Sequence, residues 1–236
     1  MADNTVSRKA ESRIPAELAA LERRAARRRF AADELVLDYE DVSTDVYFIV
    51  AGGVRVLIRT PNGKEMLLAD LGPGEFIGET TAIDGGARSA NVTATMNTEL
   101  LIIPCDAFLE AVHSTPAVCD RLLRLMTNRI RDLNERMFER NVLDVRHRLY
   151  ADLLRLSRAR GGHRDQRILS PPPPHHDLAA RIGCRREQVS REITAMESEG
   201  LAEKTRGALV ILRPAEVRRR IALATDESRL AGEARA

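Results

Sequence analysis

The alternation of apolar and polar positions between residues 34 and 104 is typical of β-strands. Turn residues separate the apolar runs: Gly52-Gly53 lies between two of them, and Pro61-Asn62-Gly63 is a strong hairpin sequence. Several short strands with regular turns predict an antiparallel barrel or sandwich in this part of the chain. The apolar runs that we assign to strands lie at 47–50, 54–58, 92–95 and 99–103.

Helical periodicity replaces this alternation on both sides of the predicted sheet. Residues 15–30 predict a short helix, with Leu18, Leu21 and Ala25 on one face and arginines opposite. Residues 116–143 contain no glycine, and apolar residues recur there at every third or fourth position. This spacing predicts a helix of about seven turns.

The apolar stripe of the long helix has two interpretations. It can pack on the core of its own domain, or it can form a dimer seam as in a short coiled coil. The length of the helix favours the seam, because a small domain cannot cover one whole face of it. The residues that we predict at the interface are Leu122, Met126, Ile130, Leu133 and Met137.

The segment from residue 144 onward predicts a small helical domain with a hairpin. Residues 144–157 predict an amphipathic helix, and 158–174 predict a linker that ends in four prolines. Two apolar runs joined through Arg206-Gly207 predict a hairpin. A short basic helix over 217–223 and a frayed polar end complete the prediction.

Residues 177–198 have the spacing of a helix-turn-helix. Ala179 allows two helices to touch, Gly183 makes the turn, and Val189 anchors the second helix. Arginine is the common reader of guanine in the DNA major groove, and glutamate accepts from cytosine. The predicted second helix carries such residues on the face opposite Val189, and the candidate DNA contacts are Arg185, Arg186, Glu187, Ser190 and Arg191.

Residues 78–90 combine a glycine and an acidic residue with an arginine and a serine that follow a glycine turn. Gly78 permits close approach of the backbone, and Arg88 can pair with phosphate oxygens through two N–H bonds. Ser89 adds a hydroxyl donor, whereas Glu79 suits a sugar hydroxyl better than a phosphate. The simpler alternative is a surface hairpin turning at Gly85-Gly86, with Arg88 paired to Asp84; the full motif is more specific than that.

Composition and charge narrow the class of protein. The 236 residues are 44% hydrophobic and carry a net charge of +2, with no apolar run long enough to cross a membrane. Residues 144–220 hold 17 basic and 10 acidic residues, which suggests that this half faces nucleic acid. The three cysteines form no metal-binding or disulfide pattern. We expect a cytoplasmic protein with no catalytic residues, metal or permanent cofactor.

Taken together, the motif at 78–90 and the later helix-turn-helix resemble the cyclic AMP receptor protein family of bacterial transcription regulators. The resemblance implies an α+β chain: an N-terminal antiparallel, jelly-roll-like β-roll that binds a cyclic nucleotide, a long dimerisation helix and a C-terminal winged helix-turn-helix. The corresponding boundaries are 1–14 for a flexible N-terminus, 15–115 for the β-roll, 116–143 for the long helix, 144–214 for the DNA-binding domain and 215–236 for the tail.

By this resemblance, the allosteric ligand is cyclic AMP, with cyclic GMP as the alternative. Leu133 and Asn134 stand where better-known members place the Thr-Ser pair that touches the base. The full set of ligand-binding residues implied is Gly78, Glu79, Thr80, Arg88, Ser89, Ala90, Val56, Leu68, Leu71, Leu133 and Asn134.

The resemblance also implies partners: double-stranded DNA with a palindromic TGTGA-like site, a second copy of the chain, and RNA polymerase, but no membrane. The alternative is a ligand-independent DNA-binding regulator whose nucleotide motif is vestigial. A cyclic-nucleotide-controlled enzyme or channel subunit is a third class, but the sequence has neither a nucleophile with its base nor a membrane span.

Overall fold

A computed structural model of the chain describes residues 14–59 and 65–233, without the side chains of Glu65, Arg164 and residues 227–233. The chain forms two compact units, Met1–Arg131 and Asp132–Ala236, which are described separately. The expected flexible segment at 1–14, except for its last residue, lies outside the described residues. The same is true of the turn at 61–63.

The described residues of the first unit form eight strands in two antiparallel sheets, with helices around them. One sheet has the order β1-β8-β3-β6 and the other β2-β7-β4-β5. Its elements are α1 (Ala19–Arg24), β1 (Ala26–Phe30), β2 (Leu35–Leu37), β3 (Val46–Ala51), β4 (Val54–Arg59), β5 (Glu65–Leu71), β6 (Phe76–Ile77), α2 (Glu79–Asp84), β7 (Asn91–Ala94), β8 (Thr98–Ile103), α3 (Cys105–Ser114) and the part of α4 (Pro116–Val142) that ends at Arg131.

Successive side chains of β3 point to opposite faces of the first sheet, and both faces are buried. Ile49 contributes to the core between the two sheets, with Val54 and Leu100. Phe48 points to the other face, where a second core forms under α1, α3 and the start of α4. Because successive strand residues point to opposite faces, a run of apolar residues is needed to fill both cores. The antiparallel β-roll that the sequence predicts is confirmed, and so is the β4–β5 hairpin.

The prediction of one helix over 15–30 is wrong in its second half. Helix α1 ends at Arg24, Ala25 is extended, and Ala26–Phe30 pairs with β8 as an edge strand. Arg27 and Arg29 both pair with Glu99 of β8, and Arg27 also pairs with Glu22. Cross-strand charge pairing and the edge position therefore override the helical spacing of Leu18, Leu21 and Ala25.

The long helix α4 uses its apolar stripe in two ways. Val118 and Leu122 are buried in the core of the first unit, and Leu122 is only 5% exposed. Leu122 is therefore not available as an interface residue, which corrects the prediction. Leu123 and Ile130, each 58% exposed, lie on the uncovered side. The residues that follow a strict alternation of three and four positions, here called the seam, are Leu123, Met126, Ile130, Leu133 and Met137.

In the described residues of the second unit, the four helices that follow α4 pack against one antiparallel sheet of order β11-β12-β10-β9. Its core unites Leu149 and Leu153 with Leu178 and Ile193. The elements that follow α4 are α5 (Val145–Leu156), β9 (Arg158–Arg160), β10 (His163–Leu169), α6 (His175–Ile182), α7 (Arg186–Ser198), β11 (Ala202–Thr205), β12 (Ala208–Ile211) and α8 (Pro214–Glu233).

Two predictions for this unit need correction. Residues 158–169 are not a linker but strands β9 and β10, because β10 pairs with β12 and extends the β11–β12 hairpin into a four-stranded sheet. The C-terminal helix runs to Glu233 instead of ending near 223. It is anchored by Val217, which is buried in the core of the unit.

Candidate functional site

Gly78 lies at a sharp turn between β6 and the six-residue helix α2. Its φ is 78°, in the left-handed region, and its position is the N-cap of α2. A Cβ atom built on Gly78 would lie 2.4 Å from Nη1 of Arg88 and 3.1 Å from the carbonyl oxygen of Asp45. Glycine is therefore required both by the backbone conformation and by the closeness of Arg88.

The guanidinium of Arg88 is buried, with 2% of the residue exposed. Nη1 donates to the Gly78 carbonyl at 2.9 Å, Nη2 to the Asp45 carbonyl at 2.7 Å, and Nε to Oγ of Ser43 at 3.1 Å. Each terminal nitrogen of an arginine carries two N–H bonds. One N–H on each therefore remains beyond the hydrogen bonds described, which is enough for two bonds to an anion.

The alternative of a surface hairpin does not fit this arrangement. The segment before Gly85 is helical, and Asp84 accepts a hydrogen bond from the Gly86 N–H at 2.9 Å instead of pairing with Arg88. A buried arginine that leaves donors uncommitted is a suitable site for an anion.

Glu79 is the second buried charged group of this region, at 4% exposure. Its Oε1 accepts a hydrogen bond from Nη1 of Arg129 at 2.6 Å, and Arg129 also donates to the carbonyl of Phe76. Its Oε2 is buried and has no hydrogen-bond partner among the residues described. A buried carboxylate oxygen without a partner is costly, by about 1–3 kcal/mol. It can accept a hydrogen bond from a ligand hydroxyl.

The other predicted ligand residues fall in three places. Thr80 and Ser89 are exposed, and Ala90 is buried. Val56 and Leu68 are half-buried on the β4–β5 hairpin, whereas Leu71 packs in the core between the sheets. Leu133 and Asn134 are exposed on α4, about one turn after Arg129.

Sequence reasoning missed two parts of this site. Arg129 borders the apolar stripe of α4, and a cation there needs a partner; the sequence did not show that Glu79 is this partner. Ser43 and Asp45 lie in a loop with no recognisable motif, and only the fold brings them to Arg88.

The second candidate site is the exposed face of α7. On the buried face, Val189, Ile193 and Met196 fix the helix in the core, as the sequence predicts. Gly183 ends α6 with a φ of 69°, as expected for the turn of a helix-turn-helix. Arg146 of α5 pairs with Glu192 at 2.8 Å, and this ion pair also holds α7 in place.

Three other charged side chains of α7 are exposed to solvent. Arg186, Glu187 and Arg191 are exposed and make no ion pair with any residue that the structure describes. Arg185, at the N-cap, is exposed too, and its backbone N–H donates to the Gln188 side chain at 3.1 Å. A rigid helix with uncommitted arginine and glutamate side chains is equipped to contact base edges and phosphates.

Ser190 differs from its neighbours because it has a partner. Nδ1 of His175, the first residue of α6, lies 2.7 Å from its Oγ. Burial lowers the pKa of the His175 imidazole, and the charges of Lys204 and Arg186 lower it further. The ring is therefore neutral at pH 7.

Within the described part of the chain, no cluster of histidine, cysteine and acidic residues forms a metal site.

Comparison with known proteins identifies both regions. Residues 27–115 match the cyclic nucleotide-binding domain family, and residues 147–220 match the Crp-like helix-turn-helix domain family. Among the described residues, no helix has the length and apolar character of a membrane span.

Individual relatives extend over most of the chain. The cyclic AMP receptor protein of Thermus thermophilus is 32% identical over 185 residues, which are 78% of this chain and 83% of that protein. The cAMP-activated global transcriptional regulator CRP of Salmonella typhimurium is 28% identical over 174 residues, or 73% and 83% of the two chains. The solved structure of CLP, a c-di-GMP responsive global regulator of Xanthomonas campestris, shares the fold with a TM-score of 0.73 at 21% identity, covering 83% of this chain and 97% of that one.

Proposed function

Because this chain belongs to the CRP/FNR family of cyclic-nucleotide-binding transcription regulators, we propose that it is a homodimer in which cyclic AMP controls the binding of palindromic DNA. Cyclic GMP is the alternative ligand. The observation that carries this proposal is the buried Oε2 of Glu79, which has no hydrogen-bond partner among the described residues; Glu79 directly follows Gly78, whose carbonyl accepts from Arg88.

The two buried charges suit the two halves of a cyclic nucleotide. Arg88 supplies its remaining N–H bonds to the exocyclic phosphate oxygens, with Ser89 as a further donor. Glu79, held by Arg129, accepts from the ribose hydroxyl, which satisfies its free oxygen. The Gly78 turn allows the backbone to lie against the ligand. Thr80 and Ala90 complete this part of the proposed site.

The base needs an apolar surface and at least one group that recognises its edge. Val56, Leu68 and Leu71 are the proposed apolar lining, and Leu133 and Asn134 are the proposed contacts from α4. Asn134 has both a donor and an acceptor, so it can meet either purine. Serine at position 89, after the arginine, favours cyclic AMP by family resemblance.

Control of DNA binding requires a dimer with two geometries. Ligand shifts the equilibrium only if it binds one of them better. In the favoured geometry, the two α7 helices lie about 34 Å apart, one turn of DNA, and meet the two halves of a TGTGA-like palindrome. RNA polymerase is the proposed further partner, and the cytoplasm, where bacterial DNA lies, is the proposed location.

Isothermal titration calorimetry tests the ligand. We expect cyclic AMP to bind the purified protein with micromolar affinity and cyclic GMP more weakly. The dinucleotide c-di-GMP serves as a third titrant, since a protein of the same fold responds to it. Absence of heat with all three ligands at two temperatures, on folded protein, would contradict the proposed site.

Base recognition by α7 is tested with Glu187→Ala. We expect relaxed preference at one base pair of each half-site and a loss of about 1–3 kcal/mol against the best sequence, because glutamate accepts from a cytosine amino group. The measurement is a selection from randomised DNA followed by anisotropy titrations. Glu197→Ala is the matched control, because Glu197 lies on the same helix but pairs with Lys204 at 3.1 Å. Equal base preferences in the two variants would remove Glu187 from the DNA contacts.

A further inference from the structure

The loop between β2 and β3, residues 38–45, holds Arg88 by its backbone as well as its side chain. The Arg88 N–H donates to the carbonyl of Asp41 at 2.9 Å, and the Glu40 N–H donates to the carbonyl of Arg88 at 3.0 Å. Asp45 and Ser43 bind the guanidinium, as described above. The position of Arg88 therefore depends on a loop that lies outside the 78–90 motif.

Ser43 bonds with two charged partners at once. Its Oγ is 3.0 Å from Oδ2 of Asp41 and 3.1 Å from Nε of Arg88. An ionised carboxylate only accepts and a guanidinium only donates. The hydroxyl must therefore donate to Asp41 and accept from Arg88.

Asp41 keeps the hydroxyl in this direction. It also accepts from the backbone N–H of Ser43 at 3.2 Å. Hydrogen bonds from the Ser43 hydroxyl and then from its backbone N–H lower the pKa of the Asp41 carboxyl, and the positive charge of Arg88 lowers it further. Asp41 thus remains ionised, and remains an acceptor, throughout the neutral range.

The hydrogen bond from Nε of Arg88 to Ser43 fixes the plane of the guanidinium. The bonds to the carbonyls of Gly78 and Asp45 fix the two terminal nitrogens of Arg88. Two fixed points define an axis about which the planar guanidinium can still tilt. The bond from Nε to Ser43 lies off that axis and fixes the plane. The direction of the remaining N–H bonds is then set before a ligand arrives.

We propose that Ser43 is a positioning residue for Arg88, and that Asp41 orients Ser43, so that this pair sets the direction in which Arg88 meets the exocyclic oxygens of the phosphate. The inference rests on the proposed function, in which Arg88 binds the phosphate of a cyclic nucleotide. It adds the β2–β3 loop to the determinants of ligand selectivity.

The test compares Ser43→Ala, Ser43→Thr and Thr44→Ala by calorimetric titration with cyclic AMP and with its two phosphorothioate diastereomers. Each diastereomer carries sulfur in place of one exocyclic oxygen, so the ratio of their Kd values reports how Arg88 discriminates between the two positions. Thr44 is the matched control, because it is exposed in the same loop and makes no hydrogen bond through its side chain to a described residue.

For Ser43→Ala we expect a Kd for cyclic AMP about tenfold higher, as for loss of one hydrogen bond to a charged group, and a diastereomer ratio that moves towards one. Ser43→Thr keeps the hydroxyl and should keep both values, as should Thr44→Ala. Adding Asp41→Ala to Ser43→Ala should change neither the Kd for cyclic AMP nor the diastereomer ratio further, because the two residues act as one unit.

Several results would overturn the inference. A Ser43→Ala variant with unchanged affinity and ratio shows that Arg88 does not need Ser43, while the proposed function stands. Weaker binding of all three ligands with an unchanged ratio shows a general structural effect. A wild-type ratio of one shows that Arg88 does not select between the oxygens. A wild-type protein that does not bind cyclic AMP overturns the proposed function and the inference with it.

Discussion

The Gly78→Ala substitution is expected to abolish cyclic-nucleotide binding and to raise the Kd by at least about a hundredfold. The two hydrogen bonds that we propose between Arg88 and the phosphate are each worth about 1.5–3 kcal/mol, and both would be lost. The added Cβ would lie 2.4 Å from Nη1 of Arg88, so the guanidinium must leave its place. Its bonds to the carbonyls of Gly78 and Asp45 are then lost together. Calorimetric titration with cyclic AMP, beside a thermal melt, measures this.

Gly85→Ala is the matched control for backbone strain. Gly85 closes the other end of α2 with a φ of 72°, close to the 78° of Gly78. A Cβ at Gly85 meets no atom within 4 Å. Both variants should lose about 1 kcal/mol of stability from the left-handed conformation, but only Gly78→Ala should lose binding. Equal loss of binding in both, or in neither, would contradict the role assigned to the contact between Gly78 and Arg88.

Leu123→Glu combined with Ile130→Glu is expected to give monomers and to abolish high-affinity DNA binding. Both side chains are more than half exposed and lie one heptad apart on the seam of α4. In a dimer joined there, each glutamate would bury an unpaired charge, which costs several kcal/mol and raises the dimer Kd by at least about a hundredfold. Sedimentation velocity over a range of concentrations measures the dimer.

The control for this pair is Asn128→Glu with Arg131→Gln. Both residues are exposed and lie off the seam on the same helix. The two control substitutions together change the net charge by as much as the two glutamates at 123 and 130. This control should remain dimeric. Leu122→Glu is a poor test, because Leu122 is buried in the core of the first unit and its replacement would unfold that core. An intact dimer in Leu123→Glu with Ile130→Glu would place the interface elsewhere.

The sequence was most informative where local chemistry determines structure. The Gly183 turn, the apolar face of α7 and the β4–β5 hairpin were all predictable, because each depends on residues close together in the chain. The motif at 78–90 predicts an anion site from local sequence in the same way, and this site stays a prediction. Its buried arginine and glutamate are placed by residues far away, so the number of donors left for a ligand was not predictable.

The failures share one physical cause, which is tertiary contact between distant segments. The helical spacing of Leu18, Leu21 and Ala25 predicts a helix that continues over Ala26–Phe30. This segment is instead a strand, because it pairs with the edge of β8 and its arginines pair with Glu99. The segment at 158–169 becomes two strands because β12 is available to pair. Leu122 and Leu123 are adjacent leucines, and only the packing of α4 on its domain shows which one remains exposed.

The most direct test of control by cyclic AMP is the affinity of the protein for a palindromic DNA site with and without this ligand. The site is first selected from randomised DNA in the presence of the ligand, and fluorescence anisotropy then gives the two Kd values at one salt concentration. We expect binding at least about tenfold tighter with cyclic AMP, as for an allosteric coupling of about 1.4 kcal/mol or more. Equal affinities would contradict the control of DNA binding by cyclic AMP and, if calorimetry also shows no ligand bound to the protein, would identify a ligand-independent regulator.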